Sequence, residues 1–475
     1  MRSPNLSVSP ALTTTTLGGW RTCAAWIPCL SICLCALLAP AIWNRFAIVF
    51  HDTGGYVQNV IRWEILPGRS FFYGLFLWIT SLGWLNFWGV IIIQSLLVLW
   101  VIRLMLRCHG LADGPGSLLM HGIALSALSG ISWYTSQLMP DILVSLTVLA
   151  FWLLAFRGQQ LSRVERWGLM AVAMLGMLSH MSCLALAIGL LLVTGIDQMI
   201  VRWCGWPIEV RVRPLLLLVI ITLFVMPVAH TLLLGKTGYT PGSPMFLFGR
   251  LVQDGLAKRW LAEHCPVDGI RLCSLQQRLP ETADAFLWAD NSPFRDIGSW
   301  EPQGEQEIRW LNRAIISTYP ADFLINSFRF TGQQLVKVAT GDGLNEHHPA
   351  TRGVFTGLLT ATAPEYTQAR QQQGELSTSL FQTMNRMHIP LALATVTMLP
   401  LAGIYWLRRR RHDLGLLVMF LLSALAGNAF ICGALSNPHD RYQSRLIWIA
   451  LLAVNLLAAA WLQQARPKKK ASPPR

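Results

Sequence analysis

Acidic side chains are scarce in this chain of 475 residues, which holds 24 Asp and Glu against 38 Lys and Arg. Most of them fall between residues 235 and 387. Of the rest, Asp113, Glu165, Asp197, Glu209 and Asp413 sit among arginines in segments that read as cytoplasmic loops, which leaves Asp52, Glu64, Asp141 and Asp440. Carboxylates kept where apolar segments end, in a chain so poor in acids, mark a candidate site. Asp52 stands in Phe50-His51-Asp52-Thr53-Gly54-Gly55-Tyr56, Asp141 follows Gln137-Leu138-Met139-Pro140, and Asp440 lies in Asn437-Pro438-His439-Asp440-Arg441-Tyr442. Each also has a purely structural use. Asp52 would cap the amphipathic helix expected over 56–66 on the membrane surface, with Val57, Val60, Ile61 and Ile65 as its apolar side. Asp141 would be a first-turn acid favoured by the helix dipole, and Asp440 would pair with Arg441. Glu64 reads as solvated.

The elements that must position these residues are membrane spans. Hydrophobic residues make up 53% of the chain and charged ones only 13%, with a mean hydropathy of +0.44, where soluble domains carry roughly 25% charged residues. Apolar runs near the roughly 20 residues that cross a bilayer recur, at 22–43, 85–102, 118–134, 141–156, 168–196, 215–234, 388–407, 414–432 and 445–462. The run at 168–196 is long for one helix, and the positive-inside rule splits it into two near Ser179-His180. About ten spans then put Arg103, Arg107, Arg157, Arg163, Arg166, Arg202, Arg211, Arg213, the Arg408–Arg411 run and Lys468–Lys470 on the cytoplasmic side, with both termini. The expectation is an all-α polytopic protein of the inner (plasma) membrane. It would comprise a cytoplasmic tail over 1–21, a membrane module over 22–234 with its first outward loop at 44–84, an extracytoplasmic, mostly helical domain over 235–387, spans over 388–462 and a basic tail over 463–475. The net charge of +14 is explained by loops facing anionic lipid headgroups, so no nucleic-acid partner is implied.

Residues 235–387 are nearly charge-balanced and long enough to form a core of their own. They contain Cys265 and Cys273, eight positions apart in a compartment that permits disulfides, and these are expected to be bonded. His347-His348 has no further ligands at metal-binding spacing and reads as a polar loop. G-x-x-x-x-G-K-[ST], H-E-x-x-H and G-x-S-x-G are absent from the sequence, which disfavours a nucleotide-driven pump or an intramembrane zinc protease.

The positions of Asp52, Tyr56, Arg69 and Tyr73, of Pro140-Asp141, and of Asp440-Arg441-Tyr442 resemble the GT-C superfamily of polytopic glycosyltransferases, which use polyprenyl-phosphate-linked sugars. The resemblance covers roughly residues 22–234 and 388–462. It implies transfer of a sugar from a polyprenyl-phosphate donor to an extracytoplasmic lipid or glycan acceptor with inversion, in contact with membrane lipids. Asp52 would be the base that takes the acceptor's hydroxyl proton, with Asp141 a second catalytic acid. Arg69, Arg441 and Arg445 would clamp the leaving phosphate. His51, Tyr56, Tyr73, His439, Asp440 and Tyr442 would complete the substrate site. The first loop carries a single acid beside His51, where some members have paired acids, so the resemblance fixes no cofactor and leaves a divalent metal open. A transporter or lipid flippase, and a non-catalytic envelope assembly protein, are the competing readings.

Overall fold

The computed structural model describes residues 16–235, 239 and 242–465; the remainder of both expected tails lies outside the described residues. The described chain is helical throughout, with one isolated bridge between Ile48 and Gln137 in place of any strand. Long apolar helices make it a multi-pass membrane protein. Among the described residues, six helices are long and apolar enough to cross a bilayer: Trp88–Cys108, Met181–Cys204, Arg213–Leu233, Thr378–Arg408, His412–Leu435 and Asp440–Ala465. This corrects the expected GT-C-like arrangement of about ten transmembrane helices.

The apolar runs that fall short do so for local reasons. The run at 118–134 stops at Leu128, because Ser129 is extended (φ −148°) and Gly130 follows it. Asp141–Phe156 has 16 residues, every one of them buried. At 1.5 Å per residue it is about 24 Å long, against roughly 30 Å of hydrocarbon. A helix apolar on all sides is what the centre of a bundle requires. The run at 168–196 is broken at His180, as its length suggested, but only the second half, Met181–Cys204, has the composition of a span.

The helices give the bundle two chemically distinct ends. At one, Arg107 pairs with Glu165 through two bonds of 2.8 and 2.7 Å, and Arg157 pairs with Asp413 at 2.7 Å. At the other, the segment after Asn44 runs beside 136–138, with Ile48 N donating to Ser136 O and Leu138 N donating to Ile48 O, both at 2.9 Å. Gln94 donates to the carbonyls of Thr135 and Gln137. These bonds clip the segments carrying Asp52 and Asp141 together.

Thr53–Arg62, expected as an amphipathic helix over 56–66, packs its apolar side against protein. Val57 and Val60 are buried, and the helix is covered by Pro349–Leu358 and Phe71–Thr80. The glycines explain the fit. A Cβ on Gly54 would stand 2.7 Å from Thr351 Cα, and one on Gly74 would stand 2.3 Å from Tyr56 O. Thr351 Oγ1 accepts from Gly54 N at 3.0 Å and donates to Phe50 O at 2.8 Å.

Within 235–387, residues from Met245 to Tyr319 build a separate core around Phe248, Leu261, Phe286 and Leu311, and Cys265 is joined to Cys273 by a disulfide. Residues 354–369 belong instead to the main core, where Phe355 and Tyr366 pack on Phe46. Buried Arg250 joins the inserted lobe to the spans. It pairs with Asp254 at 2.7 Å, lies over the Phe330 ring and donates to Gly433 O at 3.1 Å.

Candidate functional site

Asp52 occupies the N-cap position of Thr53–Arg62 but makes no capping bond. Its carboxylate turns to Arg69, with Nη2 at 2.5 Å from Oδ1. Arg69 is aimed by the turn before Phe71–Thr80: Asn59 holds its carbonyl and the Leu66 amide, and the Arg69 Nη1 bonds Pro67 O at 2.8 Å. Arg441 Nη1 stands 3.7 Å from Asp52 Oδ2, and Arg441 Nε stands 3.6 Å from Asp141 Oδ1. Arg445 Nη1 then lies 3.1 Å from the same Asp141 oxygen. Arg441 and Arg445 project from one face of Asp440–Ala465 because they are four positions apart. The result is an unbroken alternation: Arg69, Asp52, Arg441, Asp141, Arg445.

This row lies along a cavity of about 1140 Å³ between the bundle and the inserted lobe. Asp52, Arg69 and Arg441 face it, as do His51, Tyr56, His439 and Tyr442. Four of the residues singled out by sequence stand behind its wall. Asp141 and Arg445 are fully buried against each other. Tyr73 is buried with its hydroxyl on Gln94, 5.0 Å from the Tyr56 ring. Asp440 does not pair with Arg441; it accepts the Ala339 amide at 2.8 Å. Glu64 accepts from Gln58 Nε2 at 2.7 Å, away from the row.

Burial alone would raise the Asp52 pKa, but Arg69 and then Arg441 outweigh it and hold the carboxyl below the usual range. Asp52 is therefore ionised at neutral pH. Arg441 also lies 4.2 Å over the Phe50 ring, and its buried Nη1 has no hydrogen-bond partner among the described residues. His439 sits between Asp284 at 3.1 Å and Asp342 at 3.6 Å. Burial opposes its charge, yet the two carboxylates push its pKa up to about 9. Asp342 also accepts the Arg441 amide at 3.1 Å. His51 bonds Glu346 at 2.9 Å and its ring meets that of His348 at 4.1 Å. Burial, then the neighbouring His51, lowers the His348 pKa to about 3.

Sequence reasoning missed His180, Ser182, Asp284, Asp342 and His348. His180 had a signal, since it stands at the break of an apolar run, and so had Asp342, an acid between Gly341 and Gly343, both at positive φ. Asp284 had none, and His348 reads in sequence only as part of a polar loop; packing brings both to the cavity. Among the described residues, no group of three or more His, Cys, Asp or Glu side chains is placed to hold a metal ion. No protein-family model, curated protein or solved structure matches this chain.

Proposed function

We propose that this protein is a membrane glycosyltransferase that moves a sugar from a polyprenyl-phosphate donor to a hydroxyl of a lipid or glycan acceptor outside the cytoplasm, with inversion. The observation that carries the reading is the row of three guanidinium groups and two carboxylates beside a large cavity. Arg441 Nη1 is buried with no hydrogen-bond partner among the described residues, and guanidinium groups favour phosphate oxygens geometrically.

Asp52 accepts a hydrogen bond from the acceptor hydroxyl and takes its proton as the oxygen attacks the anomeric carbon. The bond from that carbon to the phosphate oxygen breaks, and the electron pair leaves with the lipid phosphate, held by Arg69 and Arg441. The two tasks are coupled. A base with a depressed pKa is a weak one, but Arg69 and Arg441 are what depress it. As they turn towards the donor phosphate, their field is shared with that anion and the basicity of Asp52 rises. The apolar side of the cavity, with Phe246, Leu287, Ile431 and Leu435, suits an isoprenoid chain. The orientation follows the positive-inside rule. The end carrying Arg107, Arg157 and Arg408–Arg411 faces the cytoplasm, and the cavity and the inserted lobe face outward.

Asp52→Asn tests the reading. The variant keeps shape and one hydrogen-bonding oxygen but removes the base, so sugar transfer from a lipid-linked donor falls by 10²-fold or more, as loss of a positioned base does. The variant still expresses and folds, with a lower melting temperature because Arg69 and Arg441 lose their counter-ion. Retained transfer in this variant removes Asp52 from the mechanism.

A further inference from the structure

Behind the cavity wall, Arg445 contacts two residues at the helix break: its Nη1 lies 2.8 Å from His180 Nε2 and its Nη2 lies 2.8 Å from Ser182 Oγ. Ser182 Oγ is also 2.9 Å from His180 Nδ1. The direction of every proton in this triangle is fixed. A guanidinium only donates, so His180 Nε2 must accept. A neutral imidazole carries one proton, which therefore sits on Nδ1 and is donated to Ser182. Burial, then the Arg445 charge, holds the His180 pKa at about 3, which keeps the ring neutral. Ser182 Oγ accepts from both Arg445 and His180, so both its lone pairs are occupied. Its own proton has to point elsewhere.

Both Ser182 and His180 line the cavity. Within the wall the Ser182 hydroxyl meets the thiol of Cys432, itself 3.8 Å from Arg445 Nη2 and a weak acceptor that an anionic oxygen outcompetes. We infer that Ser182 is a dedicated hydrogen-bond donor to an anionic phosphate oxygen in the cavity, locked in that role by Arg445 and His180. Arg445 thus reaches the ligand through Ser182 and is a positioning residue, while Ser182 makes the contact. The buried Arg441 Nη1, without a hydrogen-bond partner among the described residues, points to the same kind of ligand. The inference rests on the proposed function for its choice of a lipid-linked phosphate; the bare phosphate could equally come from a bilayer headgroup or from free solution.

The test uses the full chain in phosphatidylcholine nanodiscs and measures binding of farnesyl phosphate, farnesol and inorganic phosphate by calorimetry. Phosphatidylglycerol discs supply the headgroup arm. Ser182→Ala weakens farnesyl phosphate roughly 10- to 100-fold, the range for losing a hydrogen bond to a charged group. Farnesol binding is unchanged, and Ser182→Thr, which keeps the hydroxyl, restores most of the affinity. Farnesyl phosphate binding that is suppressed in phosphatidylglycerol discs, or by inorganic phosphate, identifies a headgroup or free phosphate as the occupant of the same donor. Three results overturn the inference: wild type that binds farnesyl phosphate no better than farnesol, Ser182→Ala with unchanged phosphate affinity, or equal losses for farnesyl phosphate and farnesol. The two readings fail separately. Sugar transfer that survives Ser182→Ala with unaltered phosphate binding sinks only the role of Ser182. Selective loss of phosphate binding in a protein that transfers no sugar sinks only the glycosyltransferase.

Discussion

At the scale of single residues, charge compensation decides which groups carry protons. Asp52 and His439 both face the cavity, and their neighbours move them in opposite directions: guanidinium groups keep Asp52 ionised, and Asp284 with Asp342 keeps His439 protonated. For His439 the folded value of about 9 lies above the ordinary imidazole range near 6.5. Its stabilising contribution is therefore complete below pH ~6.5 and disappears as pH rises through the folded value. Comparing melting temperatures of wild type and His439→Gln across that window checks this. Wild type loses stability more steeply with rising pH than the variant, and parallel profiles would mean that His439 is uncharged in the folded protein. Asp52, His439 and Arg441 were legible in the sequence as polar residues at the ends of apolar runs. The partners of His439 were not, because Asp284 and Asp342 lie about 100 residues or more away along the chain and meet it only through folding.

At the scale of helices, contact depends on missing side chains. Pro320–Val336 lies against His412–Leu435 so closely that a Cβ on Gly433 would come within 2.6 Å of Phe330 O. Gly433→Ala must force the two helices apart at the point where Arg250 also bonds, costing roughly 1–3 kcal/mol and lowering the melting temperature. Gly332→Ala is the matched contrast. Nothing lies within 4 Å of its added methyl, so the gain in helix propensity raises stability by about 0.5–1 kcal/mol. Similar effects from both substitutions would show that the close approach at Gly433 is absent. Helix existence was readable from hydropathy, and so was the break at His180. Helix environment was not: Asp141–Phe156 is as apolar as a span, yet protein surrounds it on every side. Hydrophobicity reports exclusion from water and does not distinguish lipid from protein as the replacement.

At the scale of the whole molecule, the two ends of the bundle differ in charge, and the proposed orientation gives an accessibility prediction. With the exposed free thiols Cys35 and Cys204 replaced by serine, Asp290→Cys on the inserted lobe reacts with a membrane-impermeant maleimide in intact cells. Arg410→Cys at the basic end reacts only after permeabilisation. The reverse pattern would put the cavity in the cytoplasm and remove the extracytoplasmic acceptor from the proposal.

Composition and hydropathy by themselves determined that this chain is helical and enters the membrane several times, and the scarcity of acids named Asp52, Asp141 and Asp440 as residues worth following. These are local properties, set by each segment's own solvation. Tertiary structure decided the rest. It placed Asp52 against Arg69 and Arg441, buried Arg445 and Asp141 behind the wall, and turned Ser182 towards the cavity. Ion pairing and hydrogen-bond direction depend on distances of 2.5–3.7 Å between segments up to several hundred residues apart, and only the packed bundle fixes those distances.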